Sequence, residues 1–184
     1  PCTLEITDAE TFARDWTVID VNSDVSANTW AYNDGNAMYA QDTSNAADDW
    51  LIAPAVTLEA GKAYKVSAYV KHSSTFGSDK QKIELKIGTA PTVEGLTTRL
   101  VYDESFQSRL FVEKSGTFSP AESGVFYVGL RCYSESYNGD LYFQKIVIEE
   151  APVYPAQITD LSIVAGERGA MSATLSWTWP VSYT

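Results

Sequence analysis

Three segments of this chain alternate apolar and polar residues with a period of two, and that period commits them to β-structure. In 64–71 (YKVSAYVK), Tyr64, Val66, Ala68 and Val70 share one side, and Lys65, Ser67 and Lys71 the other. In 82–87 (KIELKI), Ile83, Leu85 and Ile87 alternate with Lys82, Glu84 and Lys86. Segment 124–133 (GVFYVGLRCY) puts Phe126, Val128, Leu130 and Cys132 inward. Successive side chains on a strand point to opposite faces, so each run predicts a strand with one buried and one wetted face. Segment 109–118 reads as a further, less regular strand. In 140–149 (DLYFQKIVIE) the phase slips by one residue between Leu141/Phe143 and Ile146/Ile148. A β-bulge near Gln144 and Lys145 accounts for the slip, and so does burial of both faces. Turn sequences separate the runs at short intervals: Asn33-Asp34-Gly35, Ala60-Gly61-Lys62, Phe76-Gly77-Ser78, Ser123-Gly124 and Asn138-Gly139-Asp140. Many short strands punctuated in this way indicate a sandwich or barrel. No long amphipathic helix is evident, and 8–15 (DAETFARD) is expected to form one helical turn.

The 184 residues suffice for one good-sized domain, or for one and part of another. With 5 Trp, 11 Tyr and 7 Phe the chain can bury a substantial core. Residues 151–157 (APVYPAQ) hold two prolines and no core pattern, so a linker is expected between a first domain at 1–150 and a segment at 158–184. Two strand-like runs follow the linker, 158–165 and 171–178, with a turn at Gly166–Gly169. Two strands cannot form an independent sandwich, so they belong to a truncated second domain or pack on other parts. The chain opens at Pro1 without a leader pattern, as a mature or excised fragment is expected to. No run of about 20 apolar residues is present, so no membrane span is expected.

Charge and motif content narrow the function. A formal net charge of -11 repels phosphate backbones, which argues against nucleic-acid binding. The two cysteines, Cys2 and Cys132, form no Cys-x-x-Cys, which excludes zinc-ribbon and thioredoxin chemistry. Cys132 is expected as a buried thiol, with a bridge to Cys2 as the alternative. No catalytic residues are expected. The single histidine, His72, reads as an exposed residue at a strand edge. There is no Gly-x-Ser-x-Gly elbow and no phosphate-binding glycine loop.

Two residue groups carry candidate chemistry. Asp20, Asn22 and Asp24 place oxygen-bearing side chains at i, i+2 and i+4, a spacing that can converge on one hard cation such as calcium. Calcium needs six to eight oxygens, and Asp48 is the candidate for a further ligand. The loop is not an EF-hand, because Val25 stands at the sharp-turn glycine position and Ala31 at the bidentate acid position. The alternative is a polar turn whose Asp and Asn side chains bond their own backbone, with Asp48 and Asp49 as a solvated strand start. The second group is Tyr133, Tyr137 and Asn138 at a late turn. Rings beside polar side chains suit a sugar face, and Trp30 and Trp50 are assigned to core packing.

Several of these segments, taken together, resemble one family. The stretch 16–30 (WTVIDVNSDVSANTW), the strand 48–54 (DDWLIAP), and the segments 86–96, 124–136 and 140–148 are similar to the cleaved-adhesin and choice-of-anchor domains. Those domains are found in gingipain haemagglutinin regions. The resemblance covers about 3–149. It implies a jelly-roll-like β-sandwich of two antiparallel sheets, and a non-catalytic adhesion or protein-interaction module that is secreted or on the outer cell surface. The partner would be a host or matrix protein or a glycan. A carbohydrate-binding module of a polysaccharide-processing protein and a structural spacer are the alternatives. The resemblance also implies structural calcium, although Gln144 and Lys145 stand where the family usually has two acids. Residues 155–180 resemble the opening strands of a fibronectin type III or Ig-like repeat.

Overall fold

The computed structural model describes residues 1–24, 28–73, 78–152, 162–166 and 173–176. The chain divides into two units, Pro1–Ala151 and Pro152–Thr184. The first unit carries strands β1 (Cys2–Glu5), β2 (Thr17–Asp20), β3 (Trp30–Asn33), β4 (Asn36–Tyr39), β5 (Asp49–Ile52), β6 (Val56–Leu58) and β7 (Tyr64–His72). These are followed by β8 (Gln81–Gly88), β9 (Thr98–Phe106), β10 (Val112–Phe118), β11 (Gly124–Cys132) and β12 (Leu141–Glu150). One helix, α1 (Ala9–Asp15), follows β1. Asp8 caps it by accepting from Thr11 N–H at 2.9 Å, and Phe12 anchors it to the core. It makes about two turns rather than the single one expected.

The strands form two six-stranded antiparallel sheets. The first runs β10-β7-β12-β4-β3, and β1 shares the β4 edge of β12. The second runs β2-β5-β11-β8-β9, and β6 shares the β5 edge of β11. Each sheet therefore has one long strand that serves two short neighbours in succession. In β12 the handover needs an extra residue. Phe143 faces Val70, and Lys145 faces Tyr69, so Gln144 is the bulge. Below it β12 pairs with β4. Above it β12 pairs with β1, with Cys2 opposite Ile148 and Glu5 opposite Lys145. The residues on either side stay one-sided: Leu141, Phe143, Ile146 and Ile148 are all buried, while Tyr142, Lys145 and Val147 are half-buried. The bulge thus explains the phase slip, and burial of both faces does not.

The inward residues of the alternating segments meet between the sheets. Val66, Ala68, Val70, Ile83, Leu85, Ile87, Val128 and Leu130 are all buried there. Trp16 meets Phe143 edge-on at 5.4 Å, and Phe118 meets Phe126 at 5.3 Å. Trp30 is buried in this core, and its Nε1 donates to the Asp49 carbonyl at 3.2 Å.

A second, smaller core lies on the outside of the β5 sheet. Trp50, Ile52 and Leu96 are buried together, because the connection between β8 and β9 folds back over the strands. That fold-back requires glycine at position 88, where a Cβ would stand 1.8 Å from the Gly95 carbonyl oxygen.

Cys2 and Cys132 are both free thiols, the first exposed and the second buried. In the second unit, β13 (Ser162–Ala165) and β14 (Ala173–Ser176) pair antiparallel. Most of the expected turn at Gly166–Gly169 and of the linker at 151–157 lies outside the described residues. Among the described residues, no helix is long and apolar enough to cross a membrane.

Candidate functional site

The β2–β5 pairing sets the geometry of the acidic loop. Asp20 stands opposite Asp49, and Val21 N–H donates to the Asp48 carbonyl at 2.9 Å. Alternation then separates the two neighbouring acids. Asp48 pairs with Arg131, Oδ1 to Nε 2.7 Å, on the outer face with Trp50. Asp49 turns inward and is 0% exposed, which corrects the expectation of a solvated strand start there. Its Oδ2 accepts from Asp48 N–H at 3.0 Å, while its Oδ1 has no well-formed hydrogen bond, with the Thr29 hydroxyl its nearest donor. Burial pushes its carboxyl up to about 6, and the charges of Asp20 and Asp24 act in the same direction. Carboxylates directly opposite on paired strands repel; the Thr29 hydroxyl and the Asp48 N–H offset part of that at Asp49, and the Ser23 N–H at Asp20.

Within the loop, Asp20 Oδ1 accepts from Ser23 N–H at 2.7 Å, the local bond expected of a polar turn. Asn22 Nδ2 donates to the Ala46 carbonyl at 2.7 Å and reaches Asp24 Oδ2 at 3.4 Å. Asp20, Asn22 and Asp24 therefore share one loop that is tied to 46–49. Among the described residues, no three His, Cys, Asp or Glu side chains are placed to hold a metal ion.

The other candidate group sits on the connection between β11 and β12. A buried polar network fixes this segment. Ser134 Oγ donates to Gln81 Oε1 at 2.5 Å, and Gln81 Nε2 donates to the carbonyls of Asn138 (3.0 Å) and Gly139 (2.7 Å). His72 is wholly buried and hydrogen-bonds the Asn138 carbonyl through Nε2, which corrects the exposed position expected for it. A carbonyl only accepts, so Nε2 carries the proton and donates. The ring faces inward because it continues the Val66, Ala68, Val70 side of β7. Burial also pushes the neighbouring Cys132 thiol up to about 12.

The three predicted ligand residues are placed differently. The Asn138 amide is committed to the loop: Oδ1 accepts from Lys80 N–H at 3.2 Å, and Nδ2 donates to the Glu135 carbonyl at 3.0 Å. Tyr133 lies on the outer face of the β11 sheet, stacked on Tyr102 at 6.2 Å, with the Arg131 guanidinium 4.9 Å from its ring. Burial holds its phenol well above the ordinary value. Tyr137 stands at the tip, 67% exposed, with φ at 66°. A bulky side chain on left-handed backbone is strained, and such strain persists where surrounding structure enforces it.

Sequence reasoning missed the network beside Tyr133. Glu84, expected on the wet face, is 2% exposed. Arg99 (2.8 Å), Arg131 (3.4 Å) and Lys86 (3.5 Å) close over it. The face is outward, but long cationic side chains and the Tyr102–Tyr133 pair cover it. The strand register that sets Arg131 opposite Glu84 is a long-range fact with no local signal.

No family model matches the sequence, and no curated protein matches it. Solved structures do share its fold. The fold is similar to that of the cleaved adhesin domains of Lys-gingipain. The K3 domain from Porphyromonas gingivalis W83 aligns with a TM-score of 0.59 at 13% identity, over 80% of this chain and 98% of that one. The K1 domain aligns with a TM-score of 0.55 at 14% identity, over 83% and 100%. A CBM4 structure aligns with a TM-score of 0.50 at 15% identity, over 82% and 95%. At these identities the likeness establishes the jelly-roll sandwich alone.

Proposed function

We propose that the Pro1–Ala151 sandwich is a non-catalytic adhesion module of a larger exported protein, and that it meets a glycan at the tip of the β11–β12 connection. Tyr137 carries this reading. It is a large ring presented to solvent from strained backbone, on a segment that Gln81, Ser134 and His72 hold from below. A pre-positioned aromatic face loses little entropy on binding and stacks against a sugar ring. Tyr133 supports the same end of the sandwich from the stacked pair with Tyr102, and Asn138 acts as its structural tie. A glycan array tests the reading. Specific, saturable binding that Tyr137→Ala abolishes would support it, whereas binding to matrix proteins alone would favour a protein partner.

A structural calcium near Asp20, Asn22 and Asp24 belongs to the same proposal, with Asp49 Oδ1 in place of the Asp48 carboxylate. The buried Asp49 Oδ1, under the charges of Asp20 and Asp24, supports this reading, and the three carboxylates would have to draw together around the ion. When bound, the ion would neutralise the three carboxylates and tie the β2 end to β5. Unfolding midpoints that are the same in calcium and in chelator would remove this part of the proposal. We read β13 and β14 as the first hairpin of a second sandwich of the fibronectin type III or Ig-like kind.

A further inference from the structure

The chain has 13 Lys and Arg against 24 Asp and Glu, so every cation has carboxylates to spare. Among the described residues, every Lys and Arg except Lys71, Lys80 and Arg109 has a carboxylate within ion-pair distance. Lys80 donates instead to Gln107 Oε1 at 2.9 Å. The other two meet at one place. Lys71 and Arg109 line a cavity of about 190 Å³ together with His72, Ser73 and Tyr142.

The cavity lies where β7 ends against the start of β12, beside the Tyr137 segment. Ser73 N–H donates to the Asp140 carbonyl at 2.9 Å, and Asp140 N–H donates to Ser73 Oγ at 2.7 Å. The Lys71 ammonium is held between two rings, 4.5 Å from the Tyr142 centroid and 5.0 Å from that of Phe111. An aromatic clamp fixes an ammonium without cancelling its charge, as a carboxylate would. Asp140, tied to Ser73 through its backbone, spends its Oδ1 on the Gln41 N–H at 2.8 Å, although its charge still reaches Tyr142. The net charge of the rest of the surface is screened beyond about 8 Å at physiological ionic strength, so the two cations that line the cavity weigh more there than the distant acids, with Asp140, among the described residues, the one carboxylate whose charge reaches the lining.

We propose that this cavity binds the anionic group of an acidic sugar residue, a uronate carboxylate or a sulfate ester, and so makes the module selective for acidic glycans. The proposal rests on the glycan-binding reading above. Lys71 and Arg109 supply charge-assisted donors. Ser73 Oγ, its lone pair used by Asp140 N–H, keeps its own proton to donate. Tyr142 adds a second hydroxyl. The lining is polar and the volume small, which suits one charged, hydroxylated ring rather than an extended peptide.

The test is titration calorimetry of the full chain with oligogalacturonate, sulfated dextran oligomers, neutral gluco-oligosaccharides and poly-glutamate. Binding is expected to oligogalacturonate or to the sulfated oligomer, and whichever binds names the source of the anion. Lys71→Gln/Arg109→Gln should weaken that binding about tenfold or more. Arg109→Gln alone, on an exposed loop, serves if the double variant fails to fold. Wild-type affinity in these variants, or equal binding of poly-glutamate, would overturn the proposal. Binding of neutral sugars only, lost in Tyr137→Ala, would overturn acid selectivity and leave the glycan reading standing. Silence from every probe would overturn both.

Discussion

Asp49 offers a perturbation whose sign depends on pH and on calcium. Its carboxyl is wholly buried, and its folded value of about 6 lies above the ordinary 3.8. A raised acid value means that the folded state favours the protonated form. Below pH 3.8 the group is neutral in both states and costs nothing. As the pH rises from 3.8 to about 6 the unfolded chain gives up this proton while the folded chain keeps it, so stability falls across that window and is level above it. The gap corresponds to about 3 kcal/mol at pH 7.5. Asparagine keeps the shape, and its amide oxygen can still accept from Asp48 N–H. Its amide nitrogen then replaces Oδ1 with a donor beside Asp20 and Asp24. In chelator at pH 7.5, Asp49→Asn should therefore raise the unfolding midpoint, by about 6–12 °C for a chain of this size. At pH 4 the gain should nearly vanish. With calcium in hundredfold excess over its Kd, the wild type should recover about 2.7 kcal/mol, and the variant, lacking a ligand, should recover less. Calorimetric melts at two pH values, each with calcium and with chelator, give all four comparisons. A variant less stable than the wild type in chelator at pH 7.5, or a difference that does not change with pH, would refute the reasoning.

Three further outcomes are expected. Gly88→Ala should force the Gly95 backbone off the β5 sheet and destabilise the protein by about 1–3 kcal/mol or more, with a red shift of tryptophan emission as Leu96 uncovers Trp50. A thiol reagent at pH 8 should label Cys2 within minutes and Cys132 only in denaturant, because burial removes both access and thiolate from Cys132; mass spectrometry reads the count. Tyr137→Gly should relieve the left-handed strain and leave stability unchanged or up to about 1 kcal/mol higher, while glycan binding is lost, as urea melts and the array would show.

The fold was legible where a local period carried it. Alternation in 64–71, 82–87 and 124–133 assigned the inward residues, and the one-residue slip in 140–149 admitted either a bulge near Gln144 and Lys145 or burial of both faces, between which the register decides for a bulge at Gln144. It failed where the opposite face is also covered. Ser67 and Glu84 alternate as wet residues, yet Glu113 closes over Ser67 (2.6 Å) and the arginines over Glu84. His72 was misplaced because a polar residue at a strand end looks like an edge. Its burial depends on the carbonyl of Asn138, which is 66 residues away. Which of Asp48 and Asp49 joins Asp20 is decided by the phase of β5, and a strand buried on both faces does not display its phase. The cationic cavity was silent for a related reason. Lys71 and Arg109 look like ordinary surface charges until the carboxylate partners of the other cations are known.

The pairing of β1 with β12 has a mechanical consequence. Cys2 lies opposite Ile148, so the chain enters and leaves the sandwich at neighbouring points. A pull applied at Pro1 and at Ala151 would draw these two ends apart sideways. It would load the Cys2–Ile148 pair first and then each pair in turn, opening the strands like a zip rather than shearing all four at once. β12 would still be held by β7 along its length, and the Tyr137 segment by Gln81 and His72. The first element to yield under tension would thus be an N-terminal tether, with the proposed binding end intact.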